Sequence, residues 1–161
     1  VHAYVRPQVA PDDSLYALAI EGFPSYFHLP ALGALLGEAT HEDLIASIAT
    51  AYRRRRTSGV DGRGRQLPAE KPILALTPED VGIYKDRFVL PDRVVLALED
   101  LRRHLGHERF LSWARALFAR DRLDLATFRS VTRAVAPGAW PRLWRWLATT
   151  GSSIPARRRL R

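Results

Sequence analysis

Apolar residues return at helical intervals along almost the whole chain, and the breaks between those stretches fall at Gly and Pro. Residues 12–28 predict a first helix: Asp12, Asp13 and Ser14 supply capping types, and Leu15, Leu18 and Phe23 fall among its apolar positions. Pro24 should kink or end it. Thr40 reads as the cap of a second helix reaching about residue 56. Its stripe is Leu44, Ile45, Ile48, Ala49 and Tyr52. Four arginines, Arg53 to Arg56, close that helix at its negative dipole end.

The pattern then lapses. Residues 57–72 carry Gly59, Gly62 and Gly64 and no apolar period, so they predict a long loop. Thr77-Pro78-Glu79-Asp80 predicts a helix start of about ten residues: a cap, Pro in the first turn, then two acids. Pro91-Asp92 opens the clearest helix, with Val94, Leu98, Leu101 and Leu105 in register and Gly106 as its stop. A helix over about 107–119 follows, bearing Phe110, Trp113, Ala114 and Leu117. Asp124 caps another, with Leu125, Phe128, Val131 and Val135 inward. Pro137-Gly138 breaks the chain, and Pro141 begins a last helix that Gly151 stops. The expected fold is all-α, a bundle or stack of helices, with no strand and no internal repeat.

Composition narrows the chemistry. With 161 residues the chain is of one-domain size, and 47 % apolar residues argue against global disorder. No apolar run approaches the roughly 18 residues a membrane span requires. Cysteine is absent, which excludes disulfides and thiolate metal sites; any metal must be held by His and carboxylate. The formal charge is +8, clustered at Arg53 to Arg56, at Arg63 and Arg65, and at Arg157 to Arg161. Such clusters are compatible with a nucleic-acid partner, or with a solvated helix end and a basic tail over 156–161.

Several residues are candidates for chemistry. Glu21 is an acid in a largely apolar helix, facing solvent, an ion-pair partner or a functional site. His41-Glu42 has no second His at the spacing a zinc helix needs and reads as acid placement at a helix N-terminus. His104 and His107 straddle the Gly106 stop, which argues against a shared face. His28 is read as structural. No phosphate-binding Gly loop and no serine-elbow motif is present. Trp140, Trp144 and Trp146 have helical spacing and read as packing residues.

The segment Glu21-Gly22-Phe23-Pro24-Ser25-Tyr26 resembles the E-G-F-A-x-Y segment of the aminopeptidase N family of zinc metallopeptidases. In that family the Glu is the third zinc ligand and follows the second His of H-E-x-x-H after eighteen residues. Here eighteen residues separate His2 from Glu21. On this resemblance Val1-His2 ends the zinc motif, and its first His and its general-base Glu lie upstream. Later segments keep the family order: Leu105-Gly106 with Phe110, then Leu125-Ala126-Thr127-Phe128, then Trp146 to Gly151 with Pro155.

The resemblance implies that residues 1–155 are the helical C-terminal part of a thermolysin-like catalytic domain. It implies zinc as cofactor, His2 and Glu21 as metal ligands, and a peptide or protein substrate rather than nucleic acid. Catalytic zinc takes three protein ligands and keeps a position for the water that attacks the peptide bond. The family's oxyanion-stabilising Tyr falls on Pro91 by ungapped counting, with Arg93 where a Lys is expected and Ile20 before the ligand Glu. Tyr84, followed by Lys85, can take the catalytic role if the chain carries an insertion there. A metal-free relative serving as a scaffold is the alternative reading.

Overall fold

The structure is a computed structural model that describes residue 10, residues 14–86 and residues 89–150. Its described residues are all-helical, as the periodicity predicts, and contain no β-strand beyond a single bridge between Val60 and Gln66. Seven α-helices follow one another: α1 Phe23–Leu36, α2 Glu38–Ser58, α3 Pro78–Asp86, α4 Val89–Leu105, α5 His107–Phe118, α6 Leu125–Val135 and α7 Trp140–Ala148. A π-helical turn, Leu18–Gly22, leads into α1, and a 3-10 turn, Ile73–Ala75, precedes α3. No helix among the described residues is long and apolar enough to cross a membrane.

Most helix ends follow from local chemistry. Thr77 and Asp80 cap α3 reciprocally: Asp80 N–H donates to Thr77 Oγ1 at 3.2 Å and Thr77 N–H to Asp80 Oδ2 at 3.1 Å. Asp124 Oδ1 accepts the Thr127 N–H at 2.7 Å and starts α6. Gly59 closes α2 at φ 69°, a left-handed conformation that costs glycine little.

Two starts differ from expectation. Helix α2 begins at Glu38, directly after Gly37 at φ 98°, so Thr40 lies inside it and is not its cap. Pro24 does not end the first helix. The Phe23 N–H reaches back five residues to the Leu18 carbonyl, which widens the turn. A proline ring would otherwise meet the carbonyl four residues before it, that of Ile20. The widened turn relieves this clash, and Pro24 then occupies the first turn of α1, where no N–H is needed.

Helix α4 is the axis of the molecule. It packs against the π-turn and against α1, α2, α3, α5 and α7. Five consecutive residues, Val94 to Leu98, are buried, so α4 has no solvent-facing side at that level. The π-turn approaches it closely, and a Cβ on Gly22 would lie 2.3 Å from Val94 Cγ1. Beside this axis an aromatic cluster joins α1 to α5 and α6. Phe23 meets Phe118 edge-on at 5.4 Å, and Tyr26 meets Phe110 at 5.6 Å. Truncating Phe23 to Ala would cost about 3–5 kcal/mol, the usual range for a buried phenylalanine.

The loop after α2 is also built locally. Asp61 Oδ1 accepts the N–H groups of Arg63 and Arg65 at 2.8 and 2.9 Å, and its Oδ2 accepts the Arg65 Nε–H at 2.6 Å. Burial works against the carboxylate, but these bonds outweigh it and hold its pKa down at about 2. The arginines that end α2 are not uniformly solvated. Arg55 pairs with Asp92 of α4, and Arg56 Nε lies 3.2 Å from Glu70 Oε2.

Candidate functional site

Glu21 sits in the middle of the π-turn and is 6 % exposed. The turn is apolar on both sides of it, with Leu18, Ala19, Ile20 and Phe23 all buried. π-Turns are uncommon and recur at functional sites, where they re-aim one side chain within a helix. A buried carboxylate on such a turn is the type of donor that zinc accepts. The other predicted ligand, His2, lies outside the described residues.

Tyr84 is buried on α3, and its hydroxyl donates to the Ala69 carbonyl. Burial is the main cause that pushes its pKa above 10. It lines a small recess with Glu70, Arg93 and Leu90, whose volume, about 10 Å³, holds no substrate group. A role at an oxyanion would require this hydroxyl to leave Ala69.

Arg93 is 2 % exposed. Its guanidinium donates to Glu70 Oε1 at 2.9 Å, to the Lys71 carbonyl at 3.2 Å, to the Trp146 carbonyl at 2.8 Å and to the Thr149 carbonyl. It thereby satisfies carbonyls at the end of α7 that no helical N–H can reach. At this position the resemblance expects a lysine; the structure gives the cation a fastening role between α4, α7 and the loop.

A second cluster was not foreseen. Glu99 is 2 % exposed and stands among α1, α2 and α4. Its Oε2 accepts the Tyr26 hydroxyl at 3.0 Å and meets His41 Nε2 at 3.2 Å. Arg102 donates to both of its oxygens, each at 2.9 Å, and Arg103 Nε donates at 2.7 Å. Burial alone would raise the Glu99 pKa, but the bonds from Arg102 and Arg103 prevail and lower it. The Tyr26 hydroxyl is pushed the other way, first by burial and then by the Glu99 charge.

Glu38, His41 and Glu42 approach one another on the first turns of α2, each with a ligand atom within 4.8 Å of the others. Nitrogen with two carboxylates is a donor set that divalent metals accept. Both acids already face cations, however. Arg103 lies 2.6 Å from Glu42, and Arg102 lies 3.4 Å from Glu38. The group is therefore an ion-pair cluster in which both acids face arginines. His104 and His107 are exposed, belong to no such group, and lie on either side of Gly106. His28 holds the Pro24 carbonyl through Nδ1 at 3.1 Å.

One signal for Glu99 was present in the sequence. The unbroken run Val94-Val95-Leu96-Ala97-Leu98 marks a helix buried all round, and the acid that ends such a run has little solvent to face. Comparisons with protein families, with characterised proteins and with solved structures find no match for this chain.

Proposed function

We propose that the chain is the helical part of a zinc-dependent metallopeptidase, with an aminopeptidase-like reaction as its activity. The observation that carries this reading is Glu21. It is a buried carboxylate on a π-turn, in the segment Glu21-Gly22-Phe23 and at the ligand spacing from His2. His2 and Glu21 would hold the metal together with an upstream His. Bound there, zinc would supply a water acidic enough to attack a peptide carbonyl. The part of Glu21 is to fix the orientation of one donor oxygen, since its backbone is clamped against Val94 through Gly22. Tyr84 is left out of this proposal, because its hydroxyl is committed to Ala69.

The test is the zinc content and peptidase activity of the full-length gene product, with and without Glu21→Gln. The reading expects near-stoichiometric zinc in the wild type, and a loss of both zinc and activity in the variant. Zinc occupancy unchanged by Glu21→Gln would remove Glu21 from the site.

A second reading, a metal-free relative kept as a scaffold, is favoured by one observation. Tyr84 and Arg93, which stand nearest the expected catalytic positions, are both used to fasten the fold. It expects a wild-type product without zinc.

A further inference from the structure

A groove of ligand size lies on the surface of the helical stack. It opens between α6 and α7, holds about 510 Å³, and is lined by Leu125, Ala126, Arg129, Trp140 and Trp144. That volume lies within the range of small-ligand and side-chain pockets. Its lining is apolar apart from one guanidinium. Trp144 is 41 % exposed, a large aromatic surface left open on a helix whose other tryptophans, Trp140 and Trp146, are buried. Arg129 rests on the Trp140 ring, 5.8 Å from its centroid, so the cation is held at the rim of the groove.

The sequence from α6 onward carries charge of one sign, with Arg142 of α7 already paired with Asp100 at 2.5 Å. Asp124 is the last acidic residue of the chain, and its carboxylate caps α6. From Leu125 to Arg161 there are eight arginines and no acid; the preceding residues carry seventeen acids against seventeen bases. The whole formal charge of +8 therefore belongs to the segment that builds the groove and the residues after it. Arg129 and Arg133 are exposed on α6 one turn apart.

We infer that this groove docks an acidic amphipathic peptide segment of a partner protein. An apolar side chain of the partner seats between Trp140, Trp144 and Leu125, and its carboxylates meet Arg129 and Arg133. The arrangement is that of a helix laid in a groove, in which burial gives affinity and charge gives selection. Two other anionic partners fit less well. Stacking of nucleic-acid bases needs a series of open rings, and only Trp144 is open, because Trp140 is buried and covered by Arg129. A bilayer takes up projecting apolar side chains, whereas this surface is concave. The inference is independent of zinc.

The test is fluorescence anisotropy with the full chain and a fluorescein-labelled helical peptide of Glu and Ala carrying two Leu one turn apart. Saturable binding is expected. Replacing both Leu by Ala, or all Glu by Lys, should weaken it at least about tenfold. These changes leave the protein untouched, so they remain decisive if a protein variant folds poorly. Trp144→Ala and Arg129→Glu, checked for unchanged circular dichroism, should each weaken binding about tenfold as well. Absence of saturable binding would overturn the inference. So would a Lys peptide that binds equally, or tighter binding to oligothymidylate or to phosphatidylserine vesicles.

Discussion

His41 Nε2 and Glu99 Oε2 lie 3.2 Å apart across 58 residues of sequence, and both side chains are almost wholly enclosed. The contact joins the first turns of α2 to the middle of α4, and Tyr26 adds α1 to the same carboxylate. Three helices thus converge on one charge, which Arg102 and Arg103 pair.

Glu99→Gln should therefore destabilise the fold by about 3–5 kcal/mol at neutral pH, the cost of leaving buried partners without their counter-charge. The acid dependence has a definite sign. The folded carboxyl titrates below its ordinary 4.5. Its contribution is complete above that value and is lost as pH falls through the folded pKa. Urea midpoints measured across a pH series should show an acid limb in the wild type that is shallower in the variant. An equally steep limb in Glu99→Gln would assign the acid sensitivity to other groups.

Gly22→Ala should cost about 1–3 kcal/mol, because the new methyl would stand 2.3 Å from Val94 Cγ1. Val94→Ala opens room for it. In a double-mutant cycle the two changes together should be less harmful than their sum. Strict additivity would show that the π-turn is not held by this contact.

Thr132→Val keeps the shape of the side chain and removes its hydroxyl. That hydroxyl accepts the Trp113 indole N–H at 3.0 Å and donates to the Phe128 carbonyl at 2.7 Å. The buried indole N–H would lose its acceptor, at a cost of about 1–3 kcal/mol in thermal or urea unfolding. A neutral substitution would mean that water reaches the indole.

Tyr84→Phe should lower stability by about 0.5–1.5 kcal/mol, the usual worth of one hydrogen bond, here to the Ala69 carbonyl. On the proposed metallopeptidase reading, kcat should stay the same. A large fall in kcat with unchanged KM would instead return Tyr84 to the reaction centre.

What the sequence made legible was local. The caps at Thr77 and Asp124 and the stop at Gly106 each depend on residues within one turn, and each stands where the pattern puts it. The same reasoning misplaced the start of α2, because a Thr and a Gly three residues apart both announce a helix, and the backbone at Gly37 decides between them. It also left Pro24 as a kink or an end, since nothing in an apolar period announces a turn with an extra residue. The burial of Glu21 was one of the alternatives that its neighbours left open. The Glu99 cluster was only partly legible, for a different reason. Arg102 and Arg103 stand at helical spacing from Glu99, but Tyr26 and His41 lie 73 and 58 residues away, and such contacts leave no period in the chain. Arg93 was noted only for where it stands, and its four oxygen partners lie 22 to 56 residues away in sequence.

The π-turn contains one more residue than the α-helix it interrupts needs. Each helical residue accounts for about 100° of rotation. Deleting Ala19 or Ile20 would therefore swing the chain before the turn roughly a quarter-turn or more around the helix axis relative to Glu21. The bearing of the carboxylate is thus written in chain length rather than in any neighbour's identity. On the proposed metallopeptidase reading, a one-residue deletion there should abolish zinc binding while leaving every downstream helix intact.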